Sequence, residues 1–292
     1  MDQANRLRDI VQQRVQQIDE MKGKLNVRVI TITSGKGGVG KSNVAVNLAI
    51  QLRKQQKRVV IIDADFGLAN VEVLLGAHPV YNFKDVLSGI VTLDGALTQG
   101  PMGIQFLSGG SGLASISDIS DPRAPTLIES FSYLEEKADI VLIDTGAGIT
   151  KPIVSFIKAS RETILVTTSE PTALMDAYAL LKAAYESDGE MPQVKVIVNK
   201  IYNPLEGTEA FEKLQRVSNQ FLGLRLFSLG NIPYDNHLVK AVKRQEPVLL
   251  AYPNADCSKC FDAIGAKITN AATSAANGGM RGFIGKLFLG NK

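Results

Sequence analysis

The sequence predicts an α/β fold: a single doubly wound, mostly parallel sheet with helices on both faces, plus a helical appendage at each end. Three observations predict it. Short, near-continuously apolar runs rich in Val and Ile alternate with longer amphipathic stretches, and strands apolar on both faces belong in a parallel sheet covered on both sides. A glycine-rich loop joins the first such run to the first core helix. No repeat and no linker interrupts residues 25–268. The expected organisation is an N-terminal helix within 1–24, one domain over 25–272, and a tether with a terminal helix over 273–292.

Residues 3–22 read as a helix, with Ala4, Leu7, Val11, Ile18 and Met21 at three- and four-residue steps and Gly23 as a stop. Val27–Thr33 is a β-branched, buried strand. After the glycine-rich loop a helix runs from about Lys41 to Gln55. Arg58–Ile62 is a second strand ending at Asp63, and Ile104–Leu107 a short third. Thr126–Lys137 reads as a helix leading into the strand Ile140–Ile143, which ends at Asp144. Thr163–Thr167, a helix near Leu174–Ser187, Val194–Val198 and Leu226–Leu229 complete the alternation. Thr269–Gly279, small and polar, reads as a helix fraying into a flexible tether.

Composition narrows the function. With 292 residues, 45% hydrophobic and 21% charged, the chain is globular. No apolar run approaches ~18 residues and the N-terminus lacks an apolar signal core, so a cytoplasmic protein is expected. Two cysteines and two histidines make a disulfide framework, a His-rich metal site or a Ser-His-Asp hydrolase poor fits. The net charge of +3 divides unevenly: +1 in 1–24, −1 in 25–277 and +3 in the last fifteen residues. With no basic stripe in the core and no Trp, nucleic acid is not an expected partner.

Ser34–Ser42 reads SGKGGVGKS and matches G-x-x-x-x-G-K-[ST] between a strand and a helix. Glycines let backbone N–H groups turn inward around a phosphate, and the helix N-terminus adds its dipole. Gly35, Lys36, Gly37, Gly38, Val39, Gly40, Lys41, Ser42 and Asn43 form the expected ATP or ADP cradle. Lys41 would reach the terminal phosphates and Ser42 would supply a hydroxyl to Mg²⁺. Asp63, Asp65 and Asp144 end strands, where ligand chemistry gathers in such sheets. Each alone could equally cap a helix.

The second lysine, Lys36, in K-G-G-x-G-K-[ST], resembles the signature of the deviant Walker A ATPases, the MinD/ParA family. That resemblance covers about 27–289 and implies an ATPase that forms a homodimer when ATP-bound, with Lys36 reaching the partner's nucleotide. Asp63, Asp65, Gly67, Leu68 and Asn70 resemble its switch I, which implies that Asp65 positions the hydrolytic water and Asp63 supports the metal. Asp144-Thr145-Gly146-Ala147-Gly148 resembles Walker B and switch II, with Asp144 near Mg²⁺. Thr145-Gly146 stands where the family usually has Ser-Pro. Asn199 and the backbone near Pro233, in segments similar to the family's base-binding stretches, would face adenine. Glu170-Pro171 and Asp176 would lie near the dimer face.

Met280, Phe283, Ile284, Leu287 and Phe288 fall at i, i+3, i+4, i+7 and i+8, an arc of about 140° at ~100° per residue. Arg281 and Lys286 flank it without an acid, a pattern suited to an anionic membrane surface. A helix docked on the domain's own core is the alternative. The family ends in a similar membrane-targeting helix, which implies reversible peripheral attachment to the inner face of the cell membrane. Asp2-Gln3-Ala4-Asn5-Arg6-Leu7-Arg8 matches D-Q-A-x-x-L-R, which in MinD-like proteins marks the flagellar-number regulators FlhG, FleN and YlxH. The resemblance implies that Asp2, Gln3, Ala4, Leu7 and Arg8 engage and activate the SRP-type GTPase FlhF, with flagellar C-ring components as further partners. A helix folded on its own domain, or a coiled-coil segment, is the other reading. Cys257-x-x-Cys260 lacks a second pair. A metal-cluster scaffold ATPase, and a MinD/ParA-type ATPase placing division sites or cargo, are the competing functions.

Overall fold

The computed structural model describes residues 27–65, 70–109, 130–131, 133–270 and 279–289. The predicted helix over 3–22 with Asp2, Gln3, Ala4, Leu7 and Arg8, the switch residues Gly67 and Leu68, the start of the predicted helix over 126–137, most of the tether, and the side chains of Arg281 and Phe288 lie outside the described residues.

Eight strands form one sheet in the order β3-β4-β2-β5-β1-β6-β7-β8. They are β1 (Arg28–Ser34), β2 (Val59–Ala64), β3 (Thr98–Gln99), β4 (Gln105–Leu107), β5 (Ile140–Ala147), β6 (Glu162–Thr167), β7 (Gln193–Ile201) and β8 (Phe227–Pro233). All pairings are parallel except β3 with β4. The two-residue β3 was not legible in the sequence: Thr-Gln carries no apolar pattern, and its partner fixes it.

The strand pleat sends alternate residues to opposite faces. Ile30, Ile32, Ile61, Leu142, Ile164 and Val166 meet α1 (Lys41–Lys54), α2 (Asn70–Leu75), α9 (Asn236–Lys243), α10 (Val248–Ala251) and α11 (Asp256–Asn270) on one face. On the other face, Val29, Val60, Ile62, Val141 and Ile143 meet α3 (Phe83–Leu87), α4 (Leu93–Ala96) and α5 (Leu134–Lys137). Farther along it, Leu165, Val194, Val196 and Val198 lie under α6 (Lys151–Ala159), α7 (Pro171–Glu186) and α8 (Pro204–Leu222).

The last helix, α12 (Gly279–Leu289), lies on this second face. Met280, Phe283 and Ile284 are 0%, 3% and 1% exposed, and the Phe283 ring stacks on Phe156 of α6 with centroids 6.2 Å apart. The apolar arc predicted from spacing is present, and here it is covered by the chain's own core. Burying three large apolar side chains is worth roughly 1.5–3 kcal/mol each, enough to hold a short helix that Gly282 and Gly285 weaken. Among the described residues no helix is long and apolar enough to cross a membrane.

Candidate active site

The phosphate loop leaves the carboxyl end of β1 and feeds α1. Two of its glycines are sterically required. A Cβ on Gly35 would lie 2.2 Å from the Asp176 carbonyl oxygen of α7, and one on Gly40 would lie 2.3 Å from Nδ2 of Asn199. Gly38 and Gly40 hold φ values of 79° and 94°, in the left-handed region that favours glycine. Gly40 is also the residue before α1, so the loop delivers its N–H groups to a helix N-terminus. Asn43 sits in the first turn of α1, its carbonyl accepting from Nδ2 of Asn47 at 2.9 Å.

Lys41 Nζ donates to Asp144 Oδ1 at 2.6 Å, and both side chains are buried. Burial pushes the Asp144 carboxyl up, and the Lys41 ammonium opposes that shift. Among the described residues the other oxygen, Asp144 Oδ2, is buried with no hydrogen-bond partner. An orphaned carboxylate oxygen beside Lys41 and the Ser42 hydroxyl suits a divalent cation that also takes phosphate oxygens and water. Asp63 stands opposite Asp144 in the β2–β5 register. Both Asp63 oxygens are engaged, accepting from the backbone N–H groups of Asp65 and Val71 at 3.1 Å each. Burial, with the neighbouring Asp144 second, raises the Asp63 carboxyl to about 7. Asp63 thus ties down both ends of the segment that carries Asp65. Asn70 Nδ2 donates to Asp65 Oδ2 at 3.4 Å, and the Asp65 carboxylate lies 3.7 Å from where a Gly146 Cβ would sit. Strand β5 continues through Thr145-Gly146 to Ala147, which pairs with Ser34.

At the mouth of the loop Lys36 Nζ meets Thr172 Oγ1 at 2.8 Å and Glu170 Oε2 at 3.2 Å, at the start of α7. The sequence reading placed Glu170 only near a dimer face and did not single out Thr172. At the base end Asn199 Nδ2 donates to the Val39 carbonyl at 2.8 Å, and among the described residues the buried Oδ1 has no partner. Pro233 ends β8 beside Ile201, and the Tyr234 ring stacks on Tyr202 at 5.7 Å. Lys200, which the sequence reading passed over, donates to the Gly38 carbonyl at 2.6 Å. Its adjacency to Asn199 at a strand end was the available signal.

The cysteine pair lies on α11. Cys257 is buried at the start of α11, and burial with Asp235 beside it pushes its thiol up to about 12. Among the described residues no three His, Cys, Asp or Glu side chains converge as a metal site.

A family model described as ParA: NUBPL iron-transfer P-loop NTPase matches residues 26–269. The antiactivator FleN of Pseudomonas aeruginosa is 42% identical over 242 residues, covering 83% of this chain and 86% of FleN. The flagellum site-determining protein YlxH of Helicobacter pylori is 33% identical over 269 residues, covering 90% of each chain. Among solved structures, MinD in the MinC:MinD complex of Aquifex aeolicus superposes with a TM-score of 0.68 at 27% identity, over 87% of this chain and 100% of that one. MinD of Pyrococcus horikoshii with Mg-ADP gives 0.67 at 25% identity, over 86% and 99%. A phosphate loop with a second lysine at its mouth, facing carboxylates on β2 and β5, and a match over most of the chain agree: the protein belongs to the ParA/MinD family of P-loop ATPases.

Proposed function

We propose that this chain is an ATP-driven dimerising switch that attaches reversibly to an anionic membrane surface and sets flagellar number and placement. The observation that carries it is the docking of α12 on α6. Helix α6 begins four residues after the end of β5, so the strand that carries Asp144 leads directly into the helix that covers the apolar arc. The flagellar assignment rests on the similarity to FleN and YlxH.

In this reading Lys41 leaves Asp144 for the terminal phosphates, and Lys36 leaves Glu170 and Thr172 for the partner's nucleotide. Ser42 and the freed Asp144 would hold Mg²⁺, which would supply neutralisation of the phosphate charge. Asp63 keeps the segment after β2 in place and Asp65 orients the attacking water. Asn199 Oδ1 accepts from the adenine amine, with the backbone at Pro233 beside the base. Dimerisation presents two copies of Met280, Phe283, Ile284, Leu287 and Phe288, with Arg281 and Lys286, to the lipid. One short helix binds marginally, whereas two joined in a dimer gain effective concentration. The N-terminal residues Asp2, Gln3, Ala4, Leu7 and Arg8 engage the GTPase FlhF, and flagellar C-ring components are further partners.

Liposome flotation tests the switch. The full-length chain should float with ATP and not with ADP, and a chain ending at Asn277 should float with neither. Equal flotation of all four samples would refute it. Asp65→Ala should bind ATP without turning it over, so single-turnover hydrolysis at the wild-type rate would remove its role. Deleting residues 1–20 should abolish GTPase activation while ATPase survives.

A further inference from the structure

Two successive residues at the end of β7 grip two successive carbonyls of the phosphate loop. Asn199 takes the Val39 carbonyl at 2.8 Å and Lys200 takes the Gly38 carbonyl at 2.6 Å. Lys200 does so from a φ of 58°, at the point where the β7–β8 pairing slips between Asn199 and Ile201. A non-glycine residue stays in the left-handed region only where surrounding contacts hold it, and such positions cluster at functional sites.

The consequence follows from peptide geometry. The chain has no cis peptide among its described residues. In a trans peptide the carbonyl of one residue and the N–H of the next point in opposite directions. Pinning the Gly38 carbonyl toward Lys200 therefore turns the Val39 N–H away from Lys200. Pinning the Val39 carbonyl toward Asn199 does the same for the Gly40 N–H. These are two of the donors in a loop whose sequence is built to wrap phosphates. Neither glycine braces this plane by its own packing: Gly38 sits at φ 79°, and among the described residues nothing lies within 4 Å of where a Cβ on Gly37 or Gly38 would sit.

We propose that Lys200 is a positioning residue for the phosphate cradle: its ammonium fixes the Gly38–Val39 peptide plane so that the Val39 N–H faces a bound di- or triphosphate. Though it neighbours the residue placed at the base, its effect falls on the phosphates. The inference rests on the phosphate-loop reading of this site. The side chain is exposed, so replacing it leaves the core intact.

Calorimetric titration of the full chain with ADP and with inorganic pyrophosphate tests this. Lys200→Met, which keeps the stem and loses the charge, should weaken both ligands about tenfold, as loss of one charge-assisted hydrogen bond predicts. Lys200→Arg should restore most of the loss, and for ATP turnover the Met effect should fall on KM rather than on kcat. An unchanged pyrophosphate affinity in Lys200→Met, whether or not ADP weakens, overturns the proposal. So does a fall in nucleotide-free melting temperature that accounts for the lost affinity. Failure of the wild-type chain to bind either ligand would instead overturn the phosphate-loop reading.

Discussion

At the scale of single residues the site is governed by close approach and by charge held out of water. Gly35 and Gly40 both exclude a Cβ, against different neighbours. Gly35→Ala must move the α7 backbone at Asp176, whereas Gly40→Ala must displace the Asn199 amide and hold alanine at a φ of 94°. Gly40→Ala should cost about 1–3 kcal/mol in urea unfolding, and Asn199→Ala added to it should recover the steric share; Gly35→Ala should cost more, and no side-chain truncation should relieve it. Asp63 gives a pH signature. Its folded value of about 7 lies above the ordinary 3.8, so the folded chain keeps a proton that the unfolded chain releases. The stability this confers is full below about pH 4 and is lost as pH rises through 7. The nucleotide-free chain should therefore lose on the order of 2–3 kcal/mol from this group between pH 5 and pH 8. A carboxyl resonance of Asp63 titrating near 7 by NMR supports the account, and one titrating near 4 contradicts it.

At the scale of elements, an ionic tie joins strands far apart in sequence. Glu162 of β6 accepts from Arg28 of β1 at 2.7 Å and from Lys195 of β7 at 2.6 Å, and Arg28 also reaches the Ile268 carbonyl of α11. Burial alone would raise the Glu162 carboxyl, and the hydrogen bonds from Arg28 and Lys195 outweigh it, so its value is lowered. A depressed carboxylate contributes stability above its unfolded value and loses it as pH falls through the folded one. Glu162→Gln should cost roughly 2–4 kcal/mol in denaturant unfolding at pH 7 and progressively less on acidification. An equal cost at pH 7 and pH 3 would assign the effect to packing. The legibility of the elements followed the same division between local and distant causes. The runs that became β1, β2, β5, β6 and β7 were readable because strands covered on both faces must be apolar throughout. Helix α8 was missed: its buried face carries the small or polar Gly207, Ala210 and Ser218 beside only two large apolar residues, Leu214 and Leu222, so its apolar stripe is thin. That glycine is there because Asn231 of β8 would lie 2.5 Å from a Cβ. The arc of α12 was readable as periodicity, but spacing names the apolar face and not its cover. Phe156 and the groove beside it exist only once β1, β5 and α6 are assembled.

At the scale of the whole molecule, strand order gathers the residues of the site around the phosphate loop. Strand β1 lies between β5 and β6, so the phosphate loop emerges beside Asp144 on one flank and beside Glu170 and Thr172 on the other. The phosphate loop was legible from its spacing because backbone geometry allows few substitutes for glycine there. The resting partners of Lys36 and Lys41 were not, since both pairings span more than a hundred residues. The loop after β5, the strand of Asp144, leads into α6, and α12 packs on α6. In the proposed reading, nucleotide state and the apolar arc of α12 are thereby linked through one packed helix. Hydrogen–deuterium exchange of the amides in 279–289 tests this link most directly. With ADP they should be protected, as a docked helix requires, and with Mg²⁺ and a non-hydrolysable ATP analogue the protection should fall by an order of magnitude or more. Equal protection in the two nucleotide states would contradict the account.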